Sequence, residues 1–164
     1  MIKVAIIGFG GIAQLHRYAY WFHNQQGLPV RLVAACDSNP EAFTNISSIN
    51  LPIPSEITNE HPFVQYTDWE KMLDEQHPDM VDICLPTGFH ETVAIEVLKR
   101  GYSVLCEKPM AENFEQCRNI LKAADNSDGH LMIGQCVRFY PQYVYLYDAV
   151  KNMRYGKVLS ATFK

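Results

Sequence analysis

The sequence predicts an α/β protein with a mainly parallel, doubly wound sheet of about six strands and helices on both faces. One observation behind this prediction is that short apolar runs alternate with segments whose apolar residues recur at helical spacing. Another is that the opening run, residues 2–7, ends in closely spaced glycines that lead into a helical segment. A chain of 164 residues can hold one such domain and the beginning of a second.

Six apolar runs have the length of buried strands. They cover residues 2–7, 30–36, 63–66, 80–85, 103–106 and 131–135. Residues 47–63 contain three prolines and show no periodicity, which predicts an irregular connection.

Helical spacing of apolar residues separates the predicted strands. The first predicted helical face is Ile12, Leu15, Ala19 and Phe22, and later faces are Trp69, Met72 and Leu73, then Val93, Ala94, Val97 and Leu98, then Phe114, Cys117, Leu121 and Ala124. Gly27 and Gly101 stand where left-handed residues end helices, and Asp68 is placed to cap one. A weaker helix is predicted over residues 40–46.

The end of the chain has a different pattern from the rest. Residues 141–152 predict a tyrosine-rich helix that Gly156 ends, and residues 158–164 alternate like a strand. We therefore expect one domain over residues 1–137, followed in residues 138–164 by a connecting helix and the first strand of a second domain.

Composition excludes several classes of function. Hydrophobic residues make up 48% of the chain and charged residues 20%, without an apolar run near the roughly 20 residues that span a bilayer. The start lacks the pattern of an export signal, so we expect a cytoplasmic protein. The net charge is −4 and the basic residues are scattered, which argues against a nucleic-acid partner.

The cysteine pattern indicates reduced thiols. Five cysteines, an odd number, lie far apart without a CxxC pair, so we expect buried free thiols and no metal site. These residues are Cys36, Cys84, Cys106, Cys117 and Cys136.

The glycine-rich turn Gly8-Phe9-Gly10-Gly11-Ile12-Ala13 is the strongest functional signal. Gly8 permits a tight turn after the strand, and Ala13 lets the helix approach the sheet. Gly10 has no side chain that would keep phosphates away from the backbone. Free N–H groups at the helix start then face an anion. This arrangement is typical of Rossmann-type binding of a dinucleotide pyrophosphate, so we expect residues 8–12 to contact the cofactor.

An acidic residue follows the second predicted strand. Asp37 lies where a carboxylate accepts hydrogen bonds from the adenosine ribose, with Ser38 beside it. Such a carboxylate repels a 2'-phosphate, and neither Ser38 nor Asn39 adds positive charge, so NAD is favoured over NADP. The alternative is that Asp-Ser-Asn-Pro simply forms a turn and a helix cap.

Ligands of open parallel sheets bind beyond the carboxyl ends of the strands, and two further segments lie there. In the first, which begins at Leu85, Pro86 and Gly88 shape a turn, and Thr87 either hydrogen-bonds a ribose or caps the helix. His90 follows in the first helical turn, near the expected nicotinamide. A single histidine at such a place either contacts the cofactor or is a solvated or capping residue.

The second segment is Glu107-Lys108-Pro109, which follows the fifth predicted strand. A lysine here can orient a substrate hydroxyl or carbonyl and offset negative charge on its oxygen during hydride transfer. Pro109 fixes the direction of the backbone and admits a cis bond. The alternative is an exposed turn whose ion pair contributes under about 1 kcal/mol.

Together with His16, the 86–90 turn, Glu107-Lys108-Pro109 and Arg138-Phe139-Tyr140-Pro141, the glycine motif resembles the N-terminal half of the Gfo/Idh/MocA oxidoreductases. This family includes glucose-fructose oxidoreductase and inositol dehydrogenase. The resemblance implies an NAD(P)-dependent enzyme acting on a sugar, cyclitol or nucleotide sugar. It also implies that Lys108 is catalytic, that Glu107 and the 86–90 turn line the nicotinamide ribose, and that Arg138 approaches the active-site floor.

The family's second domain supplies an Asp and a His on one helix, most of the substrate surface and an open sheet for homo-oligomers. We expect that α+β domain to be absent here and the 164-residue chain alone to be inactive. Two alternatives remain: a non-catalytic dinucleotide-binding module or subunit, and a Rossmann-like domain for CoA. The latter leaves Glu107-Lys108-Pro109 unexplained.

Overall fold

A computed structural model describes residues 1–44 and 62–162 of the chain. Within these ranges one six-stranded sheet is present, with the order β3-β2-β1-β4-β5-β6 and every pairing parallel. The strands are β1 (Ile2–Ile7), β2 (Val30–Cys36), β3 (Val64–Tyr66), β4 (Met80–Ile83), β5 (Ser103–Cys106) and β6 (Leu131–Ile133). The predicted doubly wound, parallel sheet is confirmed.

Helices follow the strands, as the alternating pattern predicted. They are α1 (Gly11–Gln25), α2 (Trp69–Gln76), α3 (His90–Lys99), α4 (Phe114–Asp125) and α5 (Pro141–Lys151), with short 3-10 turns at Pro40–Phe43, Thr87–Phe89 and Cys136–Phe139. The fourth and sixth strands end before their predicted limits, at Ile83 and Ile133. Residues 45–46 of the predicted weak helix and 47–61 of the predicted connection lie outside the described residues.

Local chemistry accounts for the helix ends. The Asp68 side chain accepts hydrogen bonds from the N–H groups of Glu70 and Lys71, which caps α2 as predicted. Gly27 and Gly101 follow α1 and α3 with φ angles of +88° and +82°, a left-handed conformation that glycine adopts without a steric penalty. The predicted stops of both helices are therefore confirmed.

The core lies on both faces of the sheet. Ala5 and Ile7 of β1 point to the face covered by α2, α3 and α4, whereas Ile6 points to the face where Ala13 of α1 lies. This alternation follows from the two-residue repeat of a strand. Both faces of the sheet are therefore covered at β1, the strand that leads into the glycine turn.

The predicted apolar faces of two helices were wrong in part, since Leu15, Ala19, Cys117 and Ala124 are half-buried but other members are exposed. In α1 the buried residues are Ala13 and Gln14, whereas Ile12 and Phe22 are 36% and 41% exposed. In α4 Ile120 is buried and Phe114 is exposed. A small residue such as Ala13 lets the helix axis approach the sheet, so the bulkier residues of the predicted stripe lie at its flank instead of beneath it.

The thiols also differ from prediction. Cys36, Cys84 and Cys106 are buried, but Cys117 is half-buried and Cys136 is exposed, and all five are free.

Among the helices that the structure describes, none has the length and apolar character needed to cross a bilayer.

Contacts divide the chain into two compact units, with the second beginning at Gln135, slightly before the predicted boundary after residue 137. The second unit contains α5, which matches the predicted tyrosine-rich helix. Residues 158–162 form no strand and are exposed, so the predicted strand is wrong over this range. A strand needs a partner for its backbone groups, and the described residues supply none here. Phe163 and Lys164 lie outside the described residues.

Candidate functional site

A cleft of about 610 Å³ opens at the carboxyl ends of β1, β2 and β4. This is the place where strand order reverses in the sheet, because β2 lies on one side of β1 and β4 on the other. The lining residues are Ile7, Gly8, Gly10, Gly11, Ile12, Cys36, Asp37, Ser38, Thr67, Trp69, Cys84, Leu85, Pro86, Phe89 and Val93.

Gly8 and Gly10 of the turn are glycines for different structural reasons. Gly8 has φ +89°, and a Cβ added to it would lie 2.7 Å from the carbonyl oxygen of Cys84, so no other residue fits there without strain. A Cβ on Gly10 would meet no described atom within 4 Å. Gly10 therefore leaves space on the cleft side, beside the N-terminus of α1, which no described side chain caps. Free N–H groups with open space in front of them form an anion site.

Asp37 is tied to the glycine turn. Its Oδ2 accepts a hydrogen bond from the Phe9 N–H at 2.8 Å, and its Oδ1 accepts one from the Asn39 N–H at 2.9 Å. Each carboxylate oxygen keeps a further lone pair. Asn39 in turn accepts from Glu41 and caps the Pro40–Phe43 turn. This segment therefore forms the turn and the cap of the alternative interpretation, and Asp37 still has lone pairs for the predicted hydrogen bonds to a ribose.

Phe9 contributes its backbone to this arrangement, not its ring. The side chain is 2% exposed and lies with its ring centroid 4.9 Å from that of Phe43 and 5.2 Å from that of Phe63. Aromatic rings at these separations stabilise one another. The aromatic cluster therefore anchors the glycine turn to the face of the sheet that α1 covers.

The segment after β4 divides between the cleft and the interior. Leu85, Pro86 and Phe89 line the cleft. His90 is 1% exposed, and its Nδ1 and Nε2 lie 2.9 Å and 2.7 Å from the carbonyl oxygens of Pro109 and Leu85. His90 thus connects the two loops that follow β4 and β5, and its ring is not among the groups that line the cleft.

The Glu107-Lys108-Pro109 segment directly follows β5, as predicted. The Lys108 side chain is exposed, and the Lys108–Pro109 peptide bond is cis. The Lys108 N–H donates to Glu107 Oε2 at 3.0 Å, and Glu107 Oε1 lies 3.2 Å from Nε2 of His16. The backbone of Lys108 is therefore linked through a carboxylate to helix α1.

Beneath this segment lies a buried polar cluster. Asp82 of β4 is fully buried, and its Oδ2 accepts from the Tyr20 hydroxyl at 2.7 Å and lies 2.8 Å from His16 Nδ1. Burial alone lowers the pKa of His16, but the hydrogen bonds and charges of Asp82 and Glu107 outweigh burial and raise the pKa above its ordinary value of 6.5. Burial and the Asp82 charge raise the pKa of Tyr20, which keeps its hydroxyl a donor.

Two thiols in the cleft wall are poor nucleophiles. Burial, followed by the charge of Asp37, raises the pKa of Cys36 to about 12. Burial and Asp82 likewise raise the pKa of Cys84 far above its ordinary range. Donor atoms of His16, Asp82 and Cys84 lie within 4.8 Å of one another, but they are engaged in the hydrogen bonds of the cluster. Thiols that stay protonated are poor nucleophiles.

The structure sorts the predicted site residues into two groups. Those that line the cleft are Gly8, Gly10, Gly11, Ile12, Asp37, Ser38, Leu85 and Pro86. Those outside the lining are Phe9, Thr87, His90, Glu107, Lys108 and Arg138. Arg138 belongs to the second unit, in the exposed 3-10 turn that precedes α5.

Sequence reasoning missed several residues of the site. Thr67 and Trp69, which follow β3, line the cleft, and their position after a strand was an available signal. Asp82 was also missed, although an acidic residue in the middle of an apolar strand must find buried partners. The partnership of Tyr20 with Asp82 has no signal in the local sequence, because the two residues are far apart in the chain.

A parallel sheet whose first strand turns through Gly8 and Gly10 into an uncapped helix defines a dinucleotide-binding Rossmann domain. Residues 2–135 match the Gfo/Idh/MocA oxidoreductase family with its NAD-binding Rossmann fold. The chain belongs to this family, and its cofactor is a nicotinamide dinucleotide.

Among the curated relatives, levoglucosan dehydrogenase of Pseudarthrobacter phenanthrenivorans is 27% identical over 97% of this chain and 39% of its own length. Inositol 2-dehydrogenase of Rhizobium meliloti is 26% identical over 98% of this chain and 44% of its own length. Among solved structures, the WlbA dehydrogenase of Chromobacterium violaceum, in complex with NADH and UDP-GlcNAcA, superposes with a TM-score of 0.77 and 29% identity. That alignment covers 94% of this chain and 41% of WlbA. The chain thus spans about two fifths of these relatives.

Proposed function

We propose that this chain is the NAD-binding part of an oxidoreductase that transfers hydride between the nicotinamide and a hydroxyl or keto carbon of a sugar, cyclitol or nucleotide sugar. The observation that carries the proposal is the cleft itself, in which the Gly8–Gly11 turn and Asp37 lie side by side and are joined by the hydrogen bond from Phe9 N–H to Asp37. Relatives named for levoglucosan, inositol and a UDP-sugar ligand support this class of substrate.

The glycine side of the cleft accounts for binding. A pyrophosphate fits against the start of α1, where Gly10 leaves open space and the first N–H groups are uncapped. We propose that the free lone pairs of Asp37 accept from ribose hydroxyls and that its charge opposes a 2'-phosphate. Neither Ser38 nor Asn39 offsets that charge, so we propose NAD over NADP as the cofactor.

We propose that the chemistry depends on the segments that follow β4 and β5, of which Leu85, Pro86 and Phe89 line the cleft and Lys108 lies outside the lining. When bound, the nicotinamide supplies or accepts the hydride, with its ribose near Pro86, Thr87 and Glu107. Lys108 orients the substrate oxygen and offsets the negative charge that develops there. His90 supports this arrangement from below, because its two ring nitrogens lie within hydrogen-bond distance of a carbonyl oxygen of each loop.

We propose that turnover also requires residues outside residues 1–164. Oxidation of a hydroxyl carbon needs a base for the hydroxyl proton and a surface that positions the substrate. We propose that both come from a second domain that begins after residue 137, with Arg138 at its border, and that homo-oligomers form through that domain.

Titration calorimetry of the chain with NAD, NADP and CoA tests the binding function. We expect saturable binding of NAD, weaker binding of NADP and none of CoA. A preference for CoA, or the absence of nicotinamide binding, would refute the proposal. The same chain, assayed with NAD and a panel of sugars, cyclitols and nucleotide sugars, should produce no NADH, and steady NADH production would show that the second domain is dispensable.

A chain extended by the C-terminal domain of a relative tests the role of Lys108. In a chimera that oxidises its substrate, Lys108→Ala should lower kcat roughly 100-fold or more, with a much smaller effect on NAD affinity. Lys122→Ala, which removes an exposed lysine of α4, is the matched control. If turnover survives Lys108→Ala, the segment is a surface turn and the chain is better described as a non-catalytic dinucleotide-binding module.

A further inference from the structure

The hydrogen bonds around His16 define its protonation state. Nδ1 lies 2.8 Å from Asp82 Oδ2, and Nε2 lies 3.2 Å from Glu107 Oε1. An ionised carboxylate only accepts hydrogen bonds, so each ring nitrogen must carry a hydrogen to bond its partner. A neutral imidazole has one N–H and satisfies one of them. The geometry therefore corresponds to an imidazolium between two carboxylates.

The two contacts of His16 are unequal. Asp82 is fully buried and also accepts from Tyr20, so it is fixed in the interior. The Glu107 side chain is 12% exposed and lies at the longer distance from the imidazole. When the imidazolium loses a proton, the one on Nε2 is the less tightly held. The lone pair left on Nε2 then faces a carboxylate oxygen, and the contact with Glu107 becomes repulsive.

The Glu107 carboxylate also holds the backbone next to it. Its Oε2 accepts from the Lys108 N–H at 3.0 Å. On the other side, a Cβ added to Gly134 would lie 3.0 Å from Oε1, so the β6 end packs closely against this carboxylate. A displaced Glu107 would thus change the environment of the Lys108 N–H directly.

We propose that His16 is a positioning residue for Lys108: doubly protonated, it holds Glu107 against the Lys108 backbone, and loss of the Nε2 proton releases that hold. The catalytic role of Lys108 rests on the function proposed above, whereas the coupling between His16 and the Lys108 backbone is a property of the chain alone. Arrangement of the Glu107–Lys108 turn then depends on pH.

Among the described residues, the titratable groups that face His16 lie on three elements. Asp82 and Cys84 face it from β4, with the Cys84 sulfur 3.6 Å from Nδ1, and Glu107 faces it from the end of β5. Tyr20, on the same helix, donates to Asp82. Tyr20 and Cys84 stay protonated because burial raises the pKa of each, so the imidazolium is the member that titrates as the pH rises through its own raised pKa.

Nuclear magnetic resonance of the isotope-labelled chain without cofactor tests the coupling. We expect the His16 imidazole to titrate above 6.5 and the Lys108 backbone amide to shift with the same midpoint. This coincidence is measured in the wild-type protein and needs no variant. A His16 midpoint at or below 6.5, or a Lys108 amide that does not follow it, would overturn the proposal.

Variants separate positioning from folding. His16→Gln should abolish the Lys108 transition, whereas His23→Gln, at an exposed position of the same helix, should leave it intact. Glu107→Gln, which needs no change in the buried cluster, should lower the His16 midpoint because one carboxylate charge is removed. A transition that survives either His16→Gln or Glu107→Gln unchanged would count against the proposal. None of these measurements requires NAD. Their outcome therefore does not depend on whether the proposed cofactor binding is correct.

The pH dependence of stability is a second measurement of the protonation of His16. Because the pKa of His16 is raised in the folded state, its contribution to stability is complete below 6.5 and is lost as the pH rises through the folded value. We expect the wild type and His23→Gln to lose stability over that interval in parallel, and His16→Gln to lose less. Equal losses in all three proteins would contradict the proposal.

Discussion

The two sides of the cleft hold their functional groups by different means. The glycine side, formed by Gly8–Gly11 and Asp37, works through backbone N–H groups and the absence of side chains. The lysine side, formed by Leu85, Pro86 and Phe89 of the cleft wall and by the neighbouring segment 107–109, depends on side chains that reach it from beneath. His16 and His90 each bond a group of the 107–109 segment, one through a carboxylate and the other through a carbonyl.

This difference follows from what each side has to do. A pyrophosphate is recognised by many weakly charged donors along a rigid turn, and close approach requires small residues. Hydride transfer instead depends on one group held in one orientation, and a flexible lysine gains that from a fixed backbone. The glycine side is therefore a local structure, whereas the lysine side is assembled from α1, β4 and β5.

The largest expected effect is on the buried support of the lysine side. Asp82→Ala removes a fully buried carboxylate and leaves the Tyr20 hydroxyl and the His16 imidazole without their partner. We expect the free energy of unfolding to fall by about 3 kcal/mol. Urea denaturation measures this, with Asp125→Ala, at an exposed position of α4, as a control that changes stability by under about 0.5 kcal/mol.

The same experiment can contradict the comparison between the two sides. If Asp82→Ala unfolds at the urea concentration of the wild type, the cluster beneath the lysine side contributes no net stability. Asp82→Asn keeps the volume and one acceptor, so its loss should be smaller than that of Asp82→Ala.

The glycine side could be predicted from the sequence more completely than the lysine side. The strands, the sheet and the glycine turn were predictable because they depend on residues close together in the chain, such as Gly8, Gly10 and the run before them. The burial of His90 was not, since it depends on carbonyl groups of Leu85 and Pro109 that only the folded chain brings together. Residues 158–162 were predicted to form a strand because their side chains alternate in the pattern of a strand. This pattern favours a strand, but a strand also needs a partner to pair with.

On the glycine side, two neighbouring glycines should respond in opposite ways. Gly8→Ala places a Cβ 2.7 Å from the Cys84 carbonyl at a φ of +89°, so we expect a loss of about 2 kcal/mol in unfolding free energy. Gly10→Ala meets no described atom within 4 Å and should unfold like the wild type, yet it should lose NAD affinity because its methyl group occupies the cofactor's space. Paired denaturation and calorimetry measure both. Comparable unfolding of the two variants, or unchanged affinity of Gly10→Ala, would show that the turn does not act as argued.

The smallest expected effect is on the choice of cofactor, at the edge of the glycine side. Asp37→Ser removes the charge that opposes a 2'-phosphate, so the ratio of NADP to NAD dissociation constants should fall by about tenfold, or about 1.4 kcal/mol. The carboxylate also accepts from Phe9 N–H, so part of the NAD affinity should be lost as the turn loosens. Asp37→Asn separates the two effects, because an amide oxygen can still accept from Phe9 but carries no charge. Calorimetry with both cofactors should therefore show a narrowed ratio in both variants and a better preserved NAD affinity in Asp37→Asn. An unchanged ratio in both variants would place the discrimination elsewhere and leave Asp37 as a purely structural partner of the glycine turn.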